Sequence, residues 1–83
     1  MKITLRYFAS VREAMGCSTE TLVTQAATLA QLRAELVARG GPGAQALELG
    51  RAVRMALDQV MADEAAALRD GCEVAFFPPV TGG

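Results

Sequence analysis

Histidine is absent from the 83-residue chain, and lysine occurs once, at Lys2. Without histidine there is no Ser–His or Cys–His nucleophile pair and no imidazole ligand for a metal. With its single lysine at the second position, the chain has no glycine-rich loop ending in Lys to cradle nucleotide phosphates. Cysteine is scarce too. Cys17 and Cys72 are far apart, without CxxC spacing and too few for a zinc site or a disulfide framework. They read as small, mostly apolar reduced thiols that function does not need. Neither sign of charge dominates, since eight Lys plus Arg against nine Asp plus Glu leave a net charge of −1. Scattered cations do not build the basic face that grips nucleic acid. No apolar run approaches the roughly 18 residues that span a membrane, and the N-terminus lacks a signal-peptide layout. The expectation is a cytoplasmic protein with no nucleic-acid or membrane partner, poorly equipped to be an enzyme alone.

What is present is enough apolar material, 52% of residues, for the core of one domain. A domain of this size buries roughly 60–65% of its unfolded surface. From Lys2 to Phe8 the pattern alternates, with Ile3, Leu5 and Tyr7 on one face and Thr4, Arg6 and Phe8 on the other, as in a half-buried strand. Ser10 with Glu13 has the form of a capping box, predicting a short helical turn from Ser10 to Met15 that Gly16 ends. Thr19 to Thr24 is rich in β-branched residues and reads as a second strand. A second capping box, Thr28 with Gln31, opens the clearest helix. Leu29, Leu32, Leu36 and Val37 recur at helical spacing, with Gln31, Arg33, Glu35 and Arg39 off that stripe. Gly40-Gly41-Pro42-Gly43 stops it, and glycines that follow a helix cannot form a dinucleotide loop.

Ala44 to Leu49 predicts one more helical turn, and the alternation of Val53, Met55 and Leu57 a third strand. Ala62 to Leu68 reads as a connector with a very short strand near Ala67–Leu68. Arg69-Asp70-Gly71 is a turn, and Glu73 to Phe77 the last strand, stopped by Pro78-Pro79. This is an α+β layout, a sheet of four to five strands with one main helix covering one face. The crossover from the second to the third strand passes over the sheet, and the helix fills it. Ile3, Leu5, Tyr7, Val53, Met55, Leu57, Val74 and Phe76 then face Leu29, Leu32 and Leu36. Phe8 and Phe77 fall on the opposite, partly wet face, and two exposed aromatics suggest a partner surface.

The domain spans residues 1–77, and 78–83 form a tail. Two prolines break the ladder and stiffen the exit into an extended path. From Pro78 to Gly83 the chain reaches roughly 20 Å at about 3.3 Å per residue. Gly82 and Gly83 have no side chains, so the end can thread a narrow channel and bring its carboxylate against another protein's backbone. That carboxylate is inert until activated. Another protein must supply ATP to make an acyl-adenylate, and a sulfur nucleophile can then leave a thiocarboxylate.

The run from Val74 through Phe77, Pro78, Pro79, Val80 and Thr81 to Gly82-Gly83 resembles the C-terminal signature of the MoaD-type sulfur carriers. These are the small subunits of molybdopterin synthase. Tyr7 to Glu13 resembles that family's N-terminal segment, and Leu68 to Gly71 its turn before the last strand. The resemblance spans essentially the whole length. It implies a ubiquitin-like β-grasp fold and a Gly83 that is adenylated by a ubiquitin-activating-like adenylyltransferase, then thiocarboxylated with sulfur from a donor protein. It implies insertion of the tail into a large synthase subunit, where sulfur passes to cyclic pyranopterin monophosphate, within a heterotetramer. It makes this chain a sulfur-donating subunit that binds no cofactor of its own, ATP being used by the activating enzyme. By position, Gly82 and Gly83 are the activated tail, and Phe77, Pro78, Pro79, Val80 and Thr81 meet the partner, with Phe8 and Arg12 at family surface positions. One departure is Asp58, where the family usually has Asn, which alters a turn contact but not the tail.

Three other functions fit parts of the pattern. Carriers for thiamine synthesis or tRNA thiolation share the diglycine end but generally lack the Phe-Phe-Pro-Pro approach. A ubiquitin-like protein modifier would be nearly unable to form chains on itself, because Lys2 is the only lysine. A non-covalent interaction domain would be indifferent to capping or extending its C-terminus.

Overall fold

The computed structural model describes residues 1–41, 43–48 and 52–79. β1 (Lys2–Tyr7) leads into α1 (Ala9–Met15), and β2 (Thr19–Val23) returns beside β1. The long helix α2 (Leu29–Ala38) and the single turn α3 (Ala44–Leu47) follow, then the hairpin β3 (Arg54–Leu57) and β4 (Val60–Ala62), and finally β5 (Glu73–Phe77). The strand order is β2-β1-β5-β3-β4. β1 and β5 are parallel at the centre, and the remaining pairs are antiparallel. This is the mixed β-grasp sheet with one main helix across one face.

Alternation sets the inner face. Ile3, Leu5 and Tyr7 of β1, Met55 of β3, and Val74 and Phe76 of β5 are buried against Leu29, Leu32 and Leu36 of α2. Thr28 caps α2 by accepting from the Gln31 amide at 3.3 Å, while the Gln31 side chain reaches back to the Ala27 amide at 2.7 Å.

Four local expectations are corrected. The Ser10–Glu13 capping box does not form. Phe8 is the N-cap and offers no side-chain bond, so Ser10 falls inside the first turn. The reason is a tertiary tether, because the Phe8 amide is spent on the Phe76 carbonyl and its own carbonyl accepts from Val11 and Arg12. Ala9 takes the turn at φ 51°, in the left-handed region that costs a non-glycine residue roughly 1–2 kcal/mol. Gly16 does end α1, at φ 80°, with its amide on the Arg12 carbonyl.

The short strand lies at Val60–Ala62 rather than Ala67–Leu68, where Ala67 makes only an isolated bridge to Thr28. A two-residue turn with Asp58 at φ 50° and Gln59 at φ 69° folds β4 onto β3, the hairpin geometry that suits strand twist. Asp58 tolerates that conformation and ties it to β5, its carboxylate accepting from the Glu73 amide at 2.9 Å. A shorter difference is that β1 stops at Tyr7, while Leu49, at the end of the expected turn from Ala44, lies outside the described residues.

Arg33 departs furthest from expectation. Read as off the apolar stripe, it is 5% exposed. Its Nε donates to the Leu47 carbonyl at 2.5 Å and its Nη2 to the Glu48 carbonyl at 2.7 Å, and Nη1 pairs with Glu64 at 3.1 Å. The last carbonyls of a helix are the ones left for outside donors, and at the end of α3 the guanidinium donates to them. A helical signal was present, since Arg33 sits four residues after Leu29 and four before Val37.

Candidate functional site

β5 ends in the middle of the sheet, because Pro78 and Pro79 have no amide to continue the ladder. The last strand therefore delivers the chain between β1 and β3 at one edge of the domain. Val80, Thr81, Gly82 and Gly83 lie outside the described residues, while Pro78 and Pro79 are half-buried at the exit. Pro78 also walls a cleft of about 270 Å³ shared with Ser10, Val11, Ala46, Ala52 and Val53. Behind it the Met15 side chain packs against Gly43.

The outer face around the exit is built by register. Phe77 is opposite Arg54, and Ala75 opposite Ala56, which in turn faces Met61 of β4. Phe8, bonded through its amide to Phe76, sits beside this row and is 41% exposed. The Arg6 guanidinium lies 5.5 Å from the Phe8 ring centre, a cation–π contact, and 3.9 Å from Glu73. The result is an apolar strip of Phe8, Phe77, Ala75, Ala56 and Met61 with Arg6 and Arg54 among it. Met61, 59% exposed, was missed by sequence reading because the strand that presents it was placed elsewhere. Phe77 proves half-buried, and Arg12 projects from α1 as an exposed residue. The structure thus brings together Phe8, Phe77 and Pro78, with Arg12 one helical turn away.

A second polar cluster lies at the C-terminal end of α2. Arg39 grips both oxygens of Glu20, at 2.7 and 3.2 Å, and the Cys17 thiol lies 3.8 Å from the same carboxylate. The Arg39 hydrogen bond holds the Glu20 carboxyl below the ordinary range, and Glu20 raises Arg39 in return. Tyr7 is buried beside them, its hydroxyl without a hydrogen-bond partner among the described residues, and burial followed by the Glu20 charge pushes its ionisation up. Cys72 is buried in the core. Among the described residues, no group of three His, Cys, Asp or Glu side chains is placed to hold a metal, and no helix is long and apolar enough to cross a membrane.

The sequence matches the ThiS family over residues 5–83. The chain belongs to that family. Two curated relatives within reach of this family member are molybdopterin synthase sulfur carrier subunits. That of Haemophilus influenzae is 39% identical over 93% of this chain and 94% of its own length. That of Escherichia coli is 40% identical over 98% and 99%. Among solved structures, the fold resembles small archaeal modifier protein 1 from Haloferax volcanii, at TM-score 0.75 and 26% identity across both whole chains. It also resembles a chain in the complex of subunits 1 and 2 of the molybdopterin-converting factor from Helicobacter pylori, at TM-score 0.68 and 27% identity across both whole chains. That protein is a two-subunit assembly.

Proposed function

We propose that the chain is the sulfur-carrier subunit of a molybdopterin synthase. The observation that carries this reading is 40% identity to such a carrier over 98% of the chain. The geometry supports it, because a central strand launches the Pro78-Pro79 arm beside exposed Phe8 and half-buried Phe77, where a larger subunit can dock. A ubiquitin-activating-like enzyme uses ATP to adenylate the Gly83 carboxylate, and a sulfur nucleophile from a donor protein displaces the nucleotide. The thiocarboxylate then enters the large subunit, which supplies the acid–base groups, and sulfur passes to cyclic pyranopterin monophosphate. This chain binds no cofactor itself, has no activity alone and works in the cytoplasm. Phe77, Pro78, Pro79, Val80 and Thr81 meet the large subunit, and Gly82 and Gly83, without side chains, suit a narrow channel.

Mass spectrometry of the protein from its native host tests the reading. An O-to-S exchange on the C-terminal peptide is the expected result, and a C-terminus that is always a plain carboxylate counts against it. Deleting Gly83, or adding one residue after it, is expected to abolish cofactor synthesis in a folded protein. The likeness to an archaeal modifier protein favours a second reading, attachment through Gly83 to lysines of other proteins. Isopeptide remnants of the tail on host proteins would identify that use.

A further inference from the structure

β2 is one edge of the sheet, with β1 beside it and, among the described residues, no strand beyond it. The hydrogen bonds at its two ends fix which backbone groups face outward. The Ser18 carbonyl accepts from the Tyr7 amide at 2.9 Å, and the Thr24 amide donates to the Met1 carbonyl at 2.8 Å. Glu20 and Leu22 therefore turn their amides and carbonyls to β1, while Thr19, Thr21 and Val23 turn theirs away from the sheet. All three are exposed, Val23 at 75%. Edge strands are ordinarily blunted by lysine, proline, a bulge or shortness. β2 has five residues without Lys, Pro, Gly or a positive φ, and its register with β1 is unbroken. Its one charged residue, Glu20, is held by Arg39 at 2.7 Å.

The outward set is symmetric about Thr21. In an antiparallel approach of a second copy, a two-fold axis at Thr21 sets that residue opposite itself and Thr19 opposite Val23. Every outward amide and carbonyl then finds a partner, and β-branched side chains meet across the new ladder. Glu20 faces Leu22 of the second copy rather than another carboxylate. The charges beside the strand agree with this direction. α2 is tied to β2 at two places, Arg39 to Glu20 and Glu35 to the Thr24 hydroxyl, each at 2.7 Å. The two-fold rotation brings the Arg39 end of one copy toward the Glu35 end of the other, plus to minus, twice. A parallel approach sets Arg39 beside Arg39 and does not close.

We propose that β2 is a self-association edge, at which two copies of this chain pair antiparallel about Thr21 into one continuous sheet. Five residues at about 3.4 Å each make a seam of about 17 Å. That is short of a standard interface, so the dimer is weak, reversible and concentration-dependent. It occupies an edge and leaves the outer face with Phe8, Phe77 and Met61 open.

Sedimentation velocity of the whole chain over a concentration series tests this. A monomer when dilute and a dimer when concentrated are expected. Thr21→Pro removes the amide on the axis but spares the β1 ladder, and edge strands accept proline. With a native circular dichroism spectrum, it should need roughly tenfold or more protein to dimerise. T21K and T21E each set like charges against each other across the axis, and each should stay monomeric. Their equal mixture should regain the dimer, which requires that Thr21 of one copy face Thr21 of the other. An edge that takes an extended peptide of another protein, or a dimer through the Phe8 strip, gives no such rescue. The proposal is overturned by a monomer at every concentration, by undiminished dimer in Thr21→Pro, or by a mixture no better than T21K or T21E alone. Should Thr21→Pro not fold, the T21K and T21E pair decides.

Discussion

The amide of Phe8 donates to the carbonyl of Phe76 at 3.1 Å, so the residue that opens α1 is bonded to the strand that launches the tail. That bond seats Phe8 beside Phe77 and makes one surface from residues far apart in the sequence. It also accounts for the strained turn at Ala9, since the chain must leave the ladder and start a helix within one residue.

Phe77→Ala is expected to weaken binding to the large subunit by roughly 1–3 kcal/mol, the range of interface aromatics, in isothermal titration calorimetry. Its circular dichroism spectrum should stay native, because the ring lies on the outer face. Phe76→Ala should differ. That ring is fully buried, 6.2 Å from Tyr7 between centroids, and its loss should cost about 3–5 kcal/mol of stability. Equal destabilisation by both substitutions would show that the outer face is misassigned.

Removing the Arg33 side chain leaves the Leu47 and Glu48 carbonyls without their donors inside a packed region. Arg33→Ala should therefore cost about 2–4 kcal/mol in urea unfolding. Arg54→Ala, at an exposed position, should stay within about 0.5 kcal/mol of the parent. A loss at Arg33 no larger than that at Arg54 would contradict the clamp.

The Glu20–Arg39 pair predicts a pH dependence. The folded Glu20 carboxyl titrates below its unfolded value, so its stabilisation is present above the ordinary carboxylate range and is lost as pH falls through the folded value. Both side chains meet solvent, which screens the pair to about 0.5–1 kcal/mol. Glu20→Gln should reduce stability by that much at neutral pH and by nearly nothing in strong acid. A constant deficit across an acid series of unfolding curves would mean that packing, not charge, is what the substitution removes.

Tyr7 carries a buried hydroxyl with no hydrogen-bond partner among the described residues. Tyr7→Phe removes an unsatisfied polar atom while keeping the ring, so stability should be unchanged or up to about 1 kcal/mol higher in thermal unfolding. A marked loss would place a partner on that hydroxyl, with the Glu20 carboxylate the first candidate.

The elements that local pattern carries were legible. Ile3, Leu5 and Tyr7 alternate, Leu29, Leu32 and Leu36 recur at helical spacing, and two prolines bar continuation of the ladder, so β1, α2 and the end of β5 follow from nearest neighbours. Met61 and the β3–β4 hairpin were not legible, because Asp58-Gln59 is a turn only when two short strands pair across it. The Ser10–Glu13 box failed for the related reason that a long-range hydrogen bond took the start of α1 first.

By itself, the sequence determined which residue types are scarce and what closes the given sequence: no histidine, one lysine, and Pro78-Pro79 followed by Gly82-Gly83. Only the tertiary structure decided that Phe8 and Phe77 share one surface and that Arg33 is a buried clamp. Periodicity reports which side of an element is apolar. Strand order and direction join residues some seventy positions apart, and they are set by packing that no local pattern contains.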